Sequence, residues 1–174
     1  MGFYTGRTGA LYIAENPAYY SGDVIDWDIY GAPGSNPYQV LKLRDWSLET
    51  TLELLETTTA DTAVKAYTPG MASATGSATV LYYRREGTTS TEPGTQFDRL
   101  LAKIMKTSTA GVTQSDRVLM GLRTGTTISG SDNKDDISFS AWITNASLQV
   151  STGELSSVAI QFTVDGPFLE IPQA

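Results

Sequence analysis

Residues 137–165, ISFSAWITNASLQVSTGELSSVAIQFTVD, limit this chain most. Two stretches of alternating polar and apolar residues flank STGEL, a short turn containing Gly153. In the second, Val158, Ile160, Phe162 and Val164 fall on one face, and Ala159, Gln161, Thr163 and Asp165 on the other. Period-two patterning of this length predicts two long antiparallel strands joined as a hairpin. Such a hairpin needs more sheet around it to be stable.

That additional sheet is legible upstream. GALYIA (9–14), VIDWDIYG (24–31), GSATVLYYRR (76–85) and DRVLMGLRTG (116–125) each read as strands. In YQVLKLRDW (38–46), an extended run leads into DWSLETTLELLETTT (45–59). The latter fits a helix through Leu48, Leu52 and Leu55, or a strand with Trp46, Leu48, Leu52 and Leu54 on a packed face. A helix would hold β-branched Thr50 and Thr51 at a cost, and would stack Glu49, Glu53 and Glu56 along one side. The strand is therefore expected, and it turns Asp45, Ser47, Glu49, Thr51 and Glu53 to a common polar face.

One helix is expected at about 95–107, TQFDRLLAKIMKT. Phe97, Leu100, Leu101 and Ile104 form its apolar stripe, and Lys103 and Lys106 lie in its last turns. Residues 57–75 lack periodicity and hold Pro69-Gly70, so a long loop, or a loose hairpin around VKAY (64–67), is expected there. The fold class is mainly β: a small barrel or sandwich of about six to seven strands, with one helix. At 174 residues the chain is expected to be a single domain, 1–174.

Composition narrows function. The net charge is −7, against a protein that holds nucleic acid by neutralising phosphates. With no cysteine and no histidine, disulfides, thiolate and Ser-His nucleophiles and nearly all zinc sites are excluded. No carboxylate pair is set in an apolar surround as a glycosidase needs. DNKDD (132–136) lacks the ligand alternation of an EF-hand loop and reads as a solvated turn. No enzyme activity, metal or cofactor is expected. The N-terminus shows no secretory-signal pattern, Gly6 breaks the myristoylation pattern, and no apolar run is long enough to span a bilayer.

Four features then stand together: Trp46-Ser47-Leu48 in a strand, the acidic and threonine-rich stretch from Glu56 to Asp61, Pro69-Gly70, and Thr75-Gly76-Ser77 opening the next strand. With the closing strands TGELSSVAIQFTVDGP, they give residues 38–85 and 137–168 a pattern that resembles bacteriophage tail tube (major tail) proteins. The resemblance implies a virion protein, assembled in the host cytoplasm, that forms hexameric rings stacked into a hollow tube through which DNA passes without specific binding. Its implied partners are further copies of itself, tape-measure, terminator and baseplate or tip proteins, and a sheath in contractile tails, with no membrane contact. On this reading Asp45, Glu49 and Glu53 face the lumen, and Asp61, Val64, Tyr67, Pro69 and Met71 lie on an inter-ring loop. The alternative is a carbohydrate-binding β-sandwich module, which needs only aromatics and polar loops.

Overall fold

The computed structural model describes residues 9–14, 27, 38–39, 43–58, 64–81, 100–106, 109, 111–124, 136–150, 152 and 157–171. They form one antiparallel sheet of seven strands: β1 (Ala10–Ala14), β2 (Tyr38–Gln39), β3 (Leu43–Glu56), β4 (Tyr67–Leu81), β5 (Val118–Arg123), β6 (Asp136–Gln149) and β7 (Ser157–Glu170). Across the sheet the order is β2-β1-β5-β6-β7-β4-β3. The expected C-terminal hairpin is β6–β7, and 9–14 and 116–125 supply β1 and β5.

Chain connectivity forces this sheet to roll. β2 and β3 are its two edges, yet Gln39 and Leu43 are only four residues apart and so at most about 14 Å distant. In a flat sheet, six inter-strand steps would hold those edges about 29 Å apart. Consistently, β1 and β3 approach within 8 Å between Cα atoms although four strands lie between them. No β2–β3 ladder closes the sheet among the described residues.

The rolled interior is a single apolar cluster. It takes Leu11 and Ile13 from β1, Ala78 and Val80 from β4, Met120 and Leu122 from β5, Phe139 and Ile143 from β6, and Ile160 and Phe162 from β7. Phe139 stacks on Phe162, with ring centroids 5.7 Å apart. Leu100 plugs into the same cluster and Ile104 packs against it. Here the described part of the expected helix shows helical bonding, with Lys103 N–H donating to the Leu100 carbonyl and Met105 N–H to that of Leu101. Residues 95–99 and 107 of that expectation lie outside the described residues.

β1 and β5 are buried on both faces, which is why GALYIA and VLMGL are almost unbroken apolar runs. On the side away from the main core, Ala10, Tyr12, Ala14 and Leu119 are covered by Trp27. The Trp27 indole lies over Gly121, where an added Cβ would come within 2.5 Å of the ring, and its N–H donates to Ser138 Oγ at 3.0 Å.

Four sequence expectations are corrected. Trp27, the described residue of 24–31, is helical and not extended; so short an apolar run fits either periodicity. The run 38–46 is not continuous with the acidic strand, because Tyr38–Gln39 pairs with β1 at one edge while β3 forms the other. The expected loop at 57–75 is strand from Tyr67 onward, paired with β3 down to Glu56↔Tyr67. Leu52 and Leu54 do not pack but are 53% and 56% exposed. The last two share a cause: β4 meets β7 only from Thr75 onward, so residues 50–56 and 67–74 form a two-stranded ribbon that projects past the sheet. Its backbone ladder orders it, while among the described residues no third strand gives it a buried face beyond Ala74, and hence no periodicity arises in the sequence.

Gly76 sits where this ribbon joins the body, between Leu48 of β3 and Phe162 of β7. A Cβ there would lie 2.4 Å from Phe162 Cζ and 2.4 Å from the Ser47 carbonyl oxygen. The carbonyl belongs to a paired strand and cannot swing away. Gly76→Ala is expected to destabilise by about 1–3 kcal/mol, lowering the melting temperature by roughly 2–12 °C in a thermal unfolding experiment.

Candidate functional site: the polar face of the β3-β4-β7-β6 sheet

Three bulges set which residues reach this face. Leu43 pairs with Val80 and Asp45 with Thr79, so Arg44 is an extra residue that reverses the alternation of β3. Beyond it Trp46 and Leu48 turn inward, and Asp45, Ser47 and Glu49 turn outward. In β6, Thr144 is extra between Ile143↔Phe162 and Asn145↔Gln161. In the ribbon, Gly70 and Met71 together oppose Glu53, between Leu52↔Ala72 and Leu54↔Pro69. Pro69 thus falls beside a bulge, a position where a strand tolerates a missing N–H.

The outward rows run across four strands: Ser47, Ser77, Gln161 and Asn145 in one, Glu49, Thr75, Thr163 and Trp142 in the next. Ser47 and Ser77 share a hydroxyl–hydroxyl hydrogen bond of 2.9 Å. Of these rows, Ser47, Glu49, Thr75, Ser77, Gln161 and Thr163, together with Thr144, line an open groove of about 390 Å³. Hydroxyls, one amide and the Glu49 carboxylate make up its polar lining; Phe162, its aromatic member, belongs to the core. Such a surface is well hydrated, and its lining holds a carboxylate and no cationic side chain.

Of the expected lumen residues, Asp45 and Glu49 lie on this face, and Glu53 lies at the ribbon bulge beside Gly70. Asp45 has Arg44 beside it, at 4.0 Å. Glu49 and Glu53 have no cationic partner among the described residues. Of the expected inter-ring residues, Val64 is 76% exposed, while Tyr67, Pro69 and Met71 belong to strand β4, not to a loop. Asp61 lies outside the described residues. Of the groove residues, Thr75 and Ser77 entered the sequence reading only within the Thr75-Gly76-Ser77 motif and Gln161 only as a polar-face position, none as a site residue, and Thr144 was not singled out. The alternation of β7 marked Gln161 as outward, but only register shows that Ser77 and Ser47 flank it.

Charge is handled differently elsewhere. Arg123 grips Asp136 with two hydrogen bonds, Nε to Oδ1 at 2.7 Å and Nη2 to Oδ2 at 2.8 Å. Its Nη1 donates to the Tyr12 hydroxyl at 3.0 Å, and both charged residues are buried. Near the opening of β5, Lys106 donates to Asp116, which also accepts the Thr113 N–H at 2.8 Å across the 3-10 turn Gln114–Asp116. The Lys106 hydrogen bond, then the Thr113 N–H, hold the Asp116 carboxyl below its usual range against the opposing effect of burial. A depressed folded pKa stabilises fully above the unfolded value near 3.8, and that contribution fades as pH falls through the lower folded value. Asp116→Asn is therefore expected to lower the melting temperature near neutral pH, with the gap to the unsubstituted chain closing at strongly acid pH.

Among the described residues no three side chains of His, Cys, Asp or Glu gather as a metal site requires, and no helix is long and apolar enough to cross a membrane. No family model and no curated protein matches the sequence. Solved structures do share its fold. The SPP1 tail tube, determined by solid-state NMR and cryo-EM, superposes with a TM-score of 0.62 at 9% identity, over 98% of this chain and 80% of that one. A chain of the native gene transfer agent virion gives 0.55 at 11% identity, covering 79% and 89%. A chain from the sheath/tube terminator structure of the extracellular contractile injection system PVC gives 0.54 at 10%, covering 95% of each. The chain has the fold seen in tail-tube structures.

Proposed function

We propose that this chain is the structural protomer of a tail tube, forming hexameric rings that stack into a hollow channel for DNA. The observation that carries the reading is the two-sided sheet of β3, β4, β7 and β6: one face packs the core, and the other is a hydroxyl-rich surface with Glu49 and Glu53, which have no cationic partner among the described residues. A channel wall has to be wetted, continuous from copy to copy, and unattractive to phosphate. Hydroxyls meet the first demand, the outer edges of β2 and β3, unpaired among the described residues, the second, and carboxylates the third. Asp45, Glu49 and Glu53 face the lumen in this proposal, and the exposed ribbon carrying Val64, Tyr67, Pro69 and Met71 reaches the next ring. The protein is then a virion component without enzymatic activity or cofactor, and other tail proteins are its partners.

The polar groove also invites a carbohydrate-binding reading. Its one lining ring, Phe162, is buried, and Trp142 on the same face is half-buried and outside the lining, so no described lining residue gives a sugar a ring to stack on. Negative-stain microscopy of the purified protein separates the two: rings or tubes are expected, whereas monodisperse monomers at high concentration would refute the tube.

A further inference from the structure

Asp165-Gly166-Pro167, near the end of β7, is a motif that the tube reading leaves unused. Across the whole sequence, Asp165 is the one Asp or Asn followed directly by Gly. The dipeptide lies in a bulge: Val164 pairs with Ala141 and Phe168 with Phe139, so Asp165, Gly166 and Pro167 together fall opposite Ser140 alone. On the other side of β7, the ladder with β4 has already ended at Thr75↔Thr163. Gly166 is exposed, takes a φ of +85°, and has no atom within 4 Å of the place a Cβ would occupy. Arg117 Nη1 donates to Asp165 Oδ2 at 2.9 Å, in a pair whose side chains are 35% and 41% exposed. Pairs this open to water hold little energy and break readily.

We propose that Asp165-Gly166 is a site of spontaneous backbone isomerisation, with Arg117 as its brake. Glycine leaves the main-chain nitrogen that follows Asp165 unshielded by a side chain. That nitrogen attacks the Asp165 side-chain carboxyl carbon, a C–N bond closes a five-membered imide, and a carboxyl oxygen leaves as water with the amide proton and one proton from solvent. Water then reopens the ring. Attack at the side-chain carbonyl restores aspartate, whereas attack at the main-chain carbonyl leaves isoaspartate, with the chain running through the former side chain. One water leaves and one returns, so the reaction needs only solvent. The bulge favours ring closure, because no ladder pairing of Asp165 or Gly166 has to be given up and Gly166 has open space beside it. Arg117 opposes it: the carboxyl carbon cannot turn to the Gly166 nitrogen while Oδ2 is held at the start of β5. Arg117 is itself fixed in place, since it follows Asp116, which Lys106 and the Thr113 N–H hold. The product adds a methylene to the main chain of β7 just before Phe168, whose ring packs edge-on against Phe139 in the core.

The test incubates the purified full chain at neutral pH, warm but below its melting temperature. Samples are divided between peptide mapping for isoaspartate and treatment with hydroxylamine, which cleaves the chain at an imide. Isoaspartate is expected to accumulate at Asp165 without a change in mass, and hydroxylamine to cut between Asp165 and Gly166. Asp165→Glu keeps a carboxylate but would need a six-membered ring, so both signals should be lost. Arg117→Gln should isomerise severalfold faster, and Arg117→Lys, which restores a cation, should slow again; melting curves show that each variant is folded during the incubation. A synthetic peptide of residues 162–169 that isomerises while the folded chain stays unmodified would overturn the site. An unchanged rate in Arg117→Gln would overturn the role given to Arg117.

Discussion

Asp136→Ala should cost about 3–5 kcal/mol and lower the melting temperature by roughly 6–20 °C. Asp136 is fully buried, and its removal takes both carboxylate hydrogen bonds from the buried Arg123 guanidinium. The Tyr12 hydroxyl and the Tyr12 ring face, 4.9 Å from the Arg123 Cζ, cannot replace a carboxylate. The double substitution Arg123→Met with Asp136→Leu should recover most of the loss, since replacing a buried ion pair with apolar residues is often neutral or stabilising. Chemical denaturation of the two variants measures both halves. A single substitution as mild as a surface change would show that water reaches the pair. The prediction also bears on assembly: the pair joins β5 to β6, the hinge between the doubly covered half of the sheet and the half with a bare polar face.

The division between those halves was only partly legible in the sequence. Strands buried on two faces or on one announce themselves, as β1, β5 and β7 do, because burial imposes a pattern on side chains. The ribbon announces nothing: Thr57 N–H bonds to the Ala66 carbonyl at 2.9 Å and Pro69 lies opposite Leu54, yet beyond buried Ala74 both faces are wet, so threonine, alanine and methionine are all acceptable there. Bulges are equally silent. Nothing in the letters around Arg44 says that one extra residue flips Trp46 inward, although that flip decides that Asp45 and Glu49 point away from the core. The carboxylates' common direction was readable from the alternation of Asp45, Ser47 and Glu49. Their neighbours Ser77, Gln161 and Thr163 come from strands 30 or more positions away and appear only once register is known.

The direction of those carboxylates leads to the second large expected effect. Glu49→Lys/Glu53→Lys alters side chains that are exposed and without cationic partners among the described residues, so folding and ring assembly should be nearly unchanged. In the proposed channel the same change replaces a phosphate-repelling belt by lysines repeated around each ring and along the tube. Lysines on a backbone path supply the sequence-independent attraction of non-specific DNA binders, with Kd on the order of 10⁻⁴–10⁻⁶ M per site at physiological salt. DNA would then be held where it must slide. Infective titre is expected to fall by on the order of a hundredfold, with tubes of normal appearance, and isolated variant tubes should retain short duplex DNA that elutes as salt rises. Glu49→Gln/Glu53→Gln, which removes repulsion without adding attraction, should lie between the two. Unimpaired titre with the lysine pair in place would mean that Glu49 and Glu53 do not face the DNA, and the polar sheet face would have to be reassigned to the outside of the tube.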